Sequence, residues 1–109
     1  MTPEGKIKLK VKLLLTLHEA YFHCVVQNGM GAPSLDFVGC HKGLYYSVET
    51  KAGNKQPTPR QELTIKEMRK AGAKVFVVTE VSGFEELERW LKEVQHEAKK
   101  HGGGNSSGA

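Results

Sequence analysis

An aspartate, a glutamate and a lysine in the stretch SLDFVGCHKGLYYSVETKA (34–52) are the residues of this chain whose types and spacing can do chemistry. Asp36 stands on one apolar run. Glu49 and Lys51 stand two positions apart on the next, and Lys42-Gly43 joins the two runs. Alternation along a strand puts Tyr45, Ser47, Glu49 and Lys51 on one face, and Leu44, Tyr46, Val48 and Thr50 on the other, more apolar one. With Lys42 and Gly43 as the tip of a hairpin, counting back along both strands brings Asp36 directly opposite Glu49. Directly opposed β-carbons lie ~4.5–5.5 Å apart, so two carboxylates would sit almost in contact. No arginine in the sequence stands ready to neutralise them. A hard divalent cation such as Mg²⁺ or Mn²⁺ does so with oxygen ligands. A lysine beside it can orient a water, help it lose a proton, or steady charge developing at phosphorus. Together these are the parts for hydrolysing a phosphodiester. A four-residue loop keeps the pairing, whereas a three- or five-residue loop moves Asp36 to the opposite face. The same residues also fit a plainer reading, with two solvated carboxylates on an open sheet face and Lys51 protecting an edge strand.

The elements that must position this trio are legible around it. Thr2, Pro3 and Glu4 read as the cap, first position and first turn of a helix running through residues 2–20, with Ile7, Val11, Leu14 and Leu15 at helical spacing. The stretch YFHCVVQ (21–27) reads as a first strand, and NGMGAPS (28–34) as a loop. The hairpin supplies strands two and three. Thr58 followed by Gln61 forms a capping box, Pro59 takes the first helical position, and Gly72 ends that helix. KVFVVTE (74–80) is a continuous apolar run, expected to be a strand buried on both faces. The last helix is expected to begin at Ser82, with Glu85 completing its capping box, and to bury Phe84, Leu87, Trp90, Leu91 and Val94. The order is helix, three strands, helix, strand, helix. The hairpin is antiparallel and the crossover helix permits a parallel addition, so the expected sheet is mixed.

Composition bounds the rest. The 109 residues suit one domain, expected over 1–100, followed by a Gly/Ser-rich tail (101–109) read as disordered. Charged residues make up 26% and apolar residues 39%, ordinary for a soluble globular protein. No apolar run approaches the roughly 20 residues of a membrane helix, and no signal peptide opens the chain. A net charge of +4 and a pI near 9.1 favour a polyanionic partner. Cys24 and Cys40 make no disulfide framework, which favours a reducing compartment. His23-Cys24 and Cys40-His41 suggest zinc at first glance. Adjacent strand residues point to opposite faces, however, and no CxxC or HxxxH element supports them.

Asp36 followed by VETK (48–51) resembles the D…ExK pattern of the PD-(D/E)XK nuclease superfamily. More narrowly, QNGMGAPSLDFVGC, VETKAGNKQPTPRQ and AGAKVFVV resemble the virus-type replication-repair nuclease (VRR-NUC) domains, particularly stand-alone phage members, over roughly residues 2–92. In this chain Pro33 is followed by Ser34 and Leu35 before Asp36, where many members read Gly-x-Pro-Asp. The resemblance implies a restriction-endonuclease-like α/β fold, with an α-β-β-β-α-β core, a mixed sheet flanked by helices and a C-terminal helix. It implies Mg²⁺ or Mn²⁺ held by Asp36, Glu49 and the Thr50 carbonyl, with Glu4 reaching a metal through water. Lys51 becomes the active-site lysine, and Gln61 the polar residue on the helix after the motif. It further implies a homodimeric endonuclease acting on branched DNA such as four-way junctions, placed in the cytoplasm of a phage host. No nucleotide cofactor and no membrane are expected. Lys42, Lys55 and Arg60 are assigned to the DNA backbone, whereas Lys66, Arg69 and Lys70 read as a wet helix face. Gln61 could be wholly occupied by its capping box, and Glu4 by the positive end of its helix. A closer rival is a nuclease that only nicks or trims flaps and single strands, and the rival from another class is a non-catalytic DNA-binding module of the same fold.

Overall fold

The computed structural model describes residues 1–26 and 34–102, with side chains placed through residue 99. The chain runs α1 (Pro3–Leu17), β1 (Tyr21–Cys24), β2 (Phe37–His41), β3 (Leu44–Thr50), α2 (Pro59–Lys70), β4 (Lys74–Val78) and α3 (Phe84–Gly102). The four strands form one sheet in the order β1-β2-β3-β4. The first two pairings are antiparallel and β3-β4 is parallel. This is the mixed sheet and element order expected from the sequence.

The register of the hairpin follows from its tip. Lys42 and Gly43 both take positive φ, 51° and 87°, as the type I′ turn of a two-residue hairpin requires. His41 therefore faces Leu44, and Phe37 faces Val48. Asp36 lies one position beyond that last pair, at the end of the sheet where Glu49 stands.

One face of the sheet carries the main core. Ile7, Val11, Leu14 and Leu15 of α1 and Leu87, Trp90 and Leu91 of α3 pack on Phe37, Tyr46, Val48 and Val78. Trp90 is thereby a core residue, its ring 5.5 Å from those of Tyr46 and Phe76 and 5.6 Å from His41. The other face is covered at the β4 side by α2, where Leu35, Ile65 and Val75 form a smaller cluster joined by Val77 and Met68. β4 is thus packed on both faces, as its unbroken apolar run implies. On its outer side α1 exposes Leu9, Leu13 and Leu17, so this helix is apolar in two directions.

The N-terminus of α3 departs from expectation. Ser82 does not cap it: its N–H and hydroxyl both engage the Thr79 hydroxyl, and its carbonyl accepts the Thr79 N–H, closing a tight turn. Gly83 follows at φ 88°, and the helix starts at Phe84. A β-carbon on Gly83 would fall on the Val77 carbonyl oxygen, so close passage of this turn over β4 fixes the glycine and displaces the cap. β1 ends at Cys24, short of the expected Gln27, although the Val25 N–H still donates to the Asp36 carbonyl. α3 continues to Gly102, two residues into the stretch read as tail. The loop expected over 28–34 and the remainder of that tail lie, apart from Ser34, outside the described residues.

Candidate active site

Glu49 ends the buried portion of β3 together with Thr50. It is 2% exposed, and both its oxygens are engaged. Oε1 accepts the Asp36 N–H at 3.2 Å, and Oε2 accepts the Gln61 side-chain amide at 2.8 Å. Lys51 Nζ lies 3.6 Å from Oε2. Burial, then the nearby Asp36 charge, push the Glu49 carboxyl up to about 7, against the opposing pull of Lys51 and of the Asp36 N–H.

Asp36 does not lie flat beside Glu49. Its Oδ2 accepts the Thr50 N–H at 2.9 Å and the Thr50 hydroxyl at 2.6 Å. Its Oδ1 faces α1, where Lys8 Nζ stands at 3.6 Å. The strict alternation that placed Asp36 on the Glu49 face fails because the ladder of β2 begins only at Phe37, and Asp36 sits in a bend. The two carboxylates therefore approach the end of β3 from different sides, each tied to donors of the other strand. Those donors are how the sheet tolerates two acids at one spot.

Three elements hold the remaining groups. The Lys51 N–H donates to the Val78 carbonyl at 3.0 Å, extending the β3-β4 pairing past Thr50 and fixing where its side chain starts. Gln61 completes the expected capping box, its Oε1 accepting the Thr58 N–H at 2.9 Å while Thr58 Oγ1 accepts the Gln61 N–H. Because its other amide atom donates to Glu49, capping and site support occur at once, not as alternatives. The loop between Lys51 and α2 is pinned by Glu80, whose Oε1 accepts the Gly53 N–H at 2.8 Å.

Asp36, Glu49, Thr50, Lys51 and Gln61 are thus brought together. Glu4 joins them through Lys8, whose Nζ is 3.9 Å from Glu4 Oε2. Lys55 and Arg60 are exposed on the segment after Lys51. Lys42 is at the opposite end of β3, roughly 20 Å from Glu49 at the usual rise per strand residue. Arg69 is committed elsewhere, donating to the Val75 carbonyl at 2.9 Å. Cys24 and Cys40 are free and exposed, and His41 is buried with Nε2 on the Leu91 carbonyl, so the four residues of the zinc suggestion do not converge. Sequence reasoning passed over Lys8, Glu80 and the Thr50 hydroxyl. The one available signal was the spacing of Glu4 and Lys8, which puts both on one face of α1.

No group of three or more His, Cys, Asp or Glu among the described residues is arranged to hold a metal. The acidic donors at this end of β3 are two carboxylates, one of them almost fully buried. That set suits a hard cation which keeps much of its shell as water and phosphate oxygen, as Mg²⁺ does. Burying Glu49 ionised is costly, and a cation at this spot would offset that cost.

No family model matches the sequence, and no curated protein matches it. Among solved structures, one described as a VRR_NUC domain is similar, with a TM-score of 0.67 at 24% identity, covering 84% of this chain and 97% of that one. The chain has the VRR_NUC fold. Its mixed sheet with helices on both faces agrees with the restriction-endonuclease-like α/β core implied by the D…ExK resemblance. Among the described residues, no helix is long and apolar enough to cross a membrane.

Proposed function

We propose that this protein is a metal-dependent DNA endonuclease that hydrolyses phosphodiester bonds in branched DNA, with the four-way (Holliday) junction as leading substrate. The observation that carries the reading is the meeting of Asp36, Glu49, Lys51 and Gln61 at one end of β3, on a nuclease-type fold. Asp36 and Glu49, with the Thr50 carbonyl, would hold Mg²⁺ or Mn²⁺. When bound, the cation supplies positive charge that polarises the phosphate and makes a nearby water more acidic. Lys51 orients the attacking water and stabilises charge on the phosphoryl oxygens. Water adds its oxygen to phosphorus, the bond to one ester oxygen breaks, and the departing oxygen takes up a proton. Gln61 keeps the Glu49 carboxylate aimed by donating to Oε2. Lys55 and Arg60 contact flanking phosphates, and Lys42 contacts the backbone farther along. A homodimer would place two such sites on one junction. The exposed row Leu9, Leu13 and Leu17 of α1 is apolar surface that a second protomer could cover.

The test is incubation of the protein with a labelled four-way junction, a matching linear duplex and a splayed arm, in Mg²⁺ and Mn²⁺ separately, beside Lys51→Ala. Paired symmetric cuts in the junction, lost in Lys51→Ala, support a dimeric resolvase. Cutting of the splayed arm or duplex instead keeps the site and replaces the substrate with flaps or ends. Binding without cleavage under either metal leaves a DNA-binding module. Sizing in solution separates monomer from dimer.

A further inference from the structure

Lys8 differs from the other lysines of α1. Lys6, Lys10 and Lys12 are exposed, whereas Lys8 is half-buried, with its ammonium 3.6 Å from Asp36 Oδ1 and 3.9 Å from Glu4 Oε2. Asp36 Oδ2 already accepts two hydrogen bonds from Thr50. Oδ1 is therefore the oxygen through which Asp36 would bind a cation, and it is the oxygen that Lys8 faces. Two positive charges on one carboxylate oxygen repel strongly in a partly buried setting. Glu4, one helical turn earlier, is a second acceptor within reach of the same ammonium.

Resting on the reading of Asp36 and Glu49 as a metal site, we infer that Lys8 is a built-in competitor for the divalent cation. Its ammonium moves between Asp36, where it excludes the ion, and Glu4, where it admits the ion. Lys8 thereby sets the cation concentration at which the site fills, and Glu4 acts on the metal through Lys8.

Mn²⁺ binding to the purified protein, followed through the electron paramagnetic resonance signal of the free ion and needing no DNA, tests this. Lys8→Met is expected to bind Mn²⁺ ~5-fold more tightly than wild type, the size of a partly exposed ion pair removed. Lys12→Met, the same loss of charge at an exposed position of the same helix, is expected to change affinity less than ~1.5-fold by screening. Glu4→Gln is expected to weaken binding in the wild-type background and to lose most of that effect in the Lys8→Met background. Equal affinity in Lys8→Met and wild type, or equal tightening in Lys8→Met and Lys12→Met, overturns the inference while leaving the metal site in place. A full Glu4→Gln effect without Lys8 overturns the indirect role of Glu4. Failure of the wild type itself to bind Mn²⁺ removes the metal reading of the site, and the inference with it.

Discussion

Glu49 and His41 stand at opposite ends of the same hairpin, and both are buried ionisable groups. Glu49 is 2% exposed and His41 is 1% exposed. Burial shifts each toward its neutral form, raising Glu49 and lowering His41. Their surroundings differ. Glu49 receives donors from a neighbouring strand and a helix, with a lysine at 3.6 Å. Among the described residues His41 has one hydrogen bond, to the Leu91 carbonyl, and its Nδ1 is buried without a partner. A carboxylate kept this dry among donors that converge on it is the group a candidate site is built around. An imidazole between aromatic rings is packing. Burial of a titratable side chain thus marks a site only when convergent donors accompany it.

Substitutions should separate the two ends most sharply in rate against stability. Lys51→Ala is expected to lower the rate constant of cleavage at least ~100-fold, the usual cost of losing a group that stabilises developing charge. Its thermal midpoint should stay close to wild type. His41→Ala should do the reverse, costing about 3 kcal/mol in urea unfolding through the cavity beside Trp90, with cleavage per folded molecule unchanged. If His41→Ala abolishes cleavage in a protein still folded, the contrast between the ends fails.

The pH dependence of stability in EDTA sharpens the comparison, because the two groups act with opposite sign. The folded Glu49 carboxyl titrates near 7 against 4.5 when unfolded. Between those values the native state holds the extra proton, so this contribution falls as pH rises and is lost above 7. It amounts to about 3 kcal/mol at one unit per 1.36 kcal/mol. His41 titrates below its unfolded value of 6.5. The unfolded state then holds the extra proton, so its contribution is complete above 6.5 and falls as pH drops. Glu49→Gln should therefore leave stability rising with pH below 6.5. His41→Leu should leave it falling from 4.5 to 7. Urea titrations at half-unit intervals decide this, and identical slopes in the two variants would show that neither group is responsible. The smallest effect is expected for Gln61→Ala, about 1 kcal/mol from the lost cap, with a modest drop in cleavage rate because Glu49 loses a donor.

The parts of the molecule legible in the sequence were those set by local rules. Lys42-Gly43 forms the expected turn, so the pairing that puts Asp36 and Glu49 at one end of the sheet could be counted. The Thr58–Gln61 capping box depends on residues three apart and formed as read. The equivalent reading at Ser82 failed because the turn folds back over the strand just before it: the Val77 carbonyl leaves no room for a side chain at position 83. Asp36 turned away from its expected face for a related reason, since alternation governs residues inside a ladder and not one position beyond it. Lys8 was missed for a third reason. Its spacing from Glu4 pairs the two on one face of α1, but its partner on Asp36 comes from the docking of that helix, which no local pattern specifies.

The bonds that assemble Asp36, Glu49, Thr50 and Gln61 join residues only 12 to 14 positions apart. Closing loops of that length takes tens to hundreds of nanoseconds, and a hairpin forms in roughly microseconds. The acidic centre can therefore take shape as soon as the hairpin and α2 meet, ahead of the slower closure that brings α1 and α3 over the sheet. Lys8 reaches Asp36 only through the docking of α1, so in that order of assembly Asp36 would meet Thr50 before it meets Lys8, while Lys51 already stands beside Glu49. Divalent cations present at that stage should speed the formation of the hairpin, and do so more than they slow unfolding.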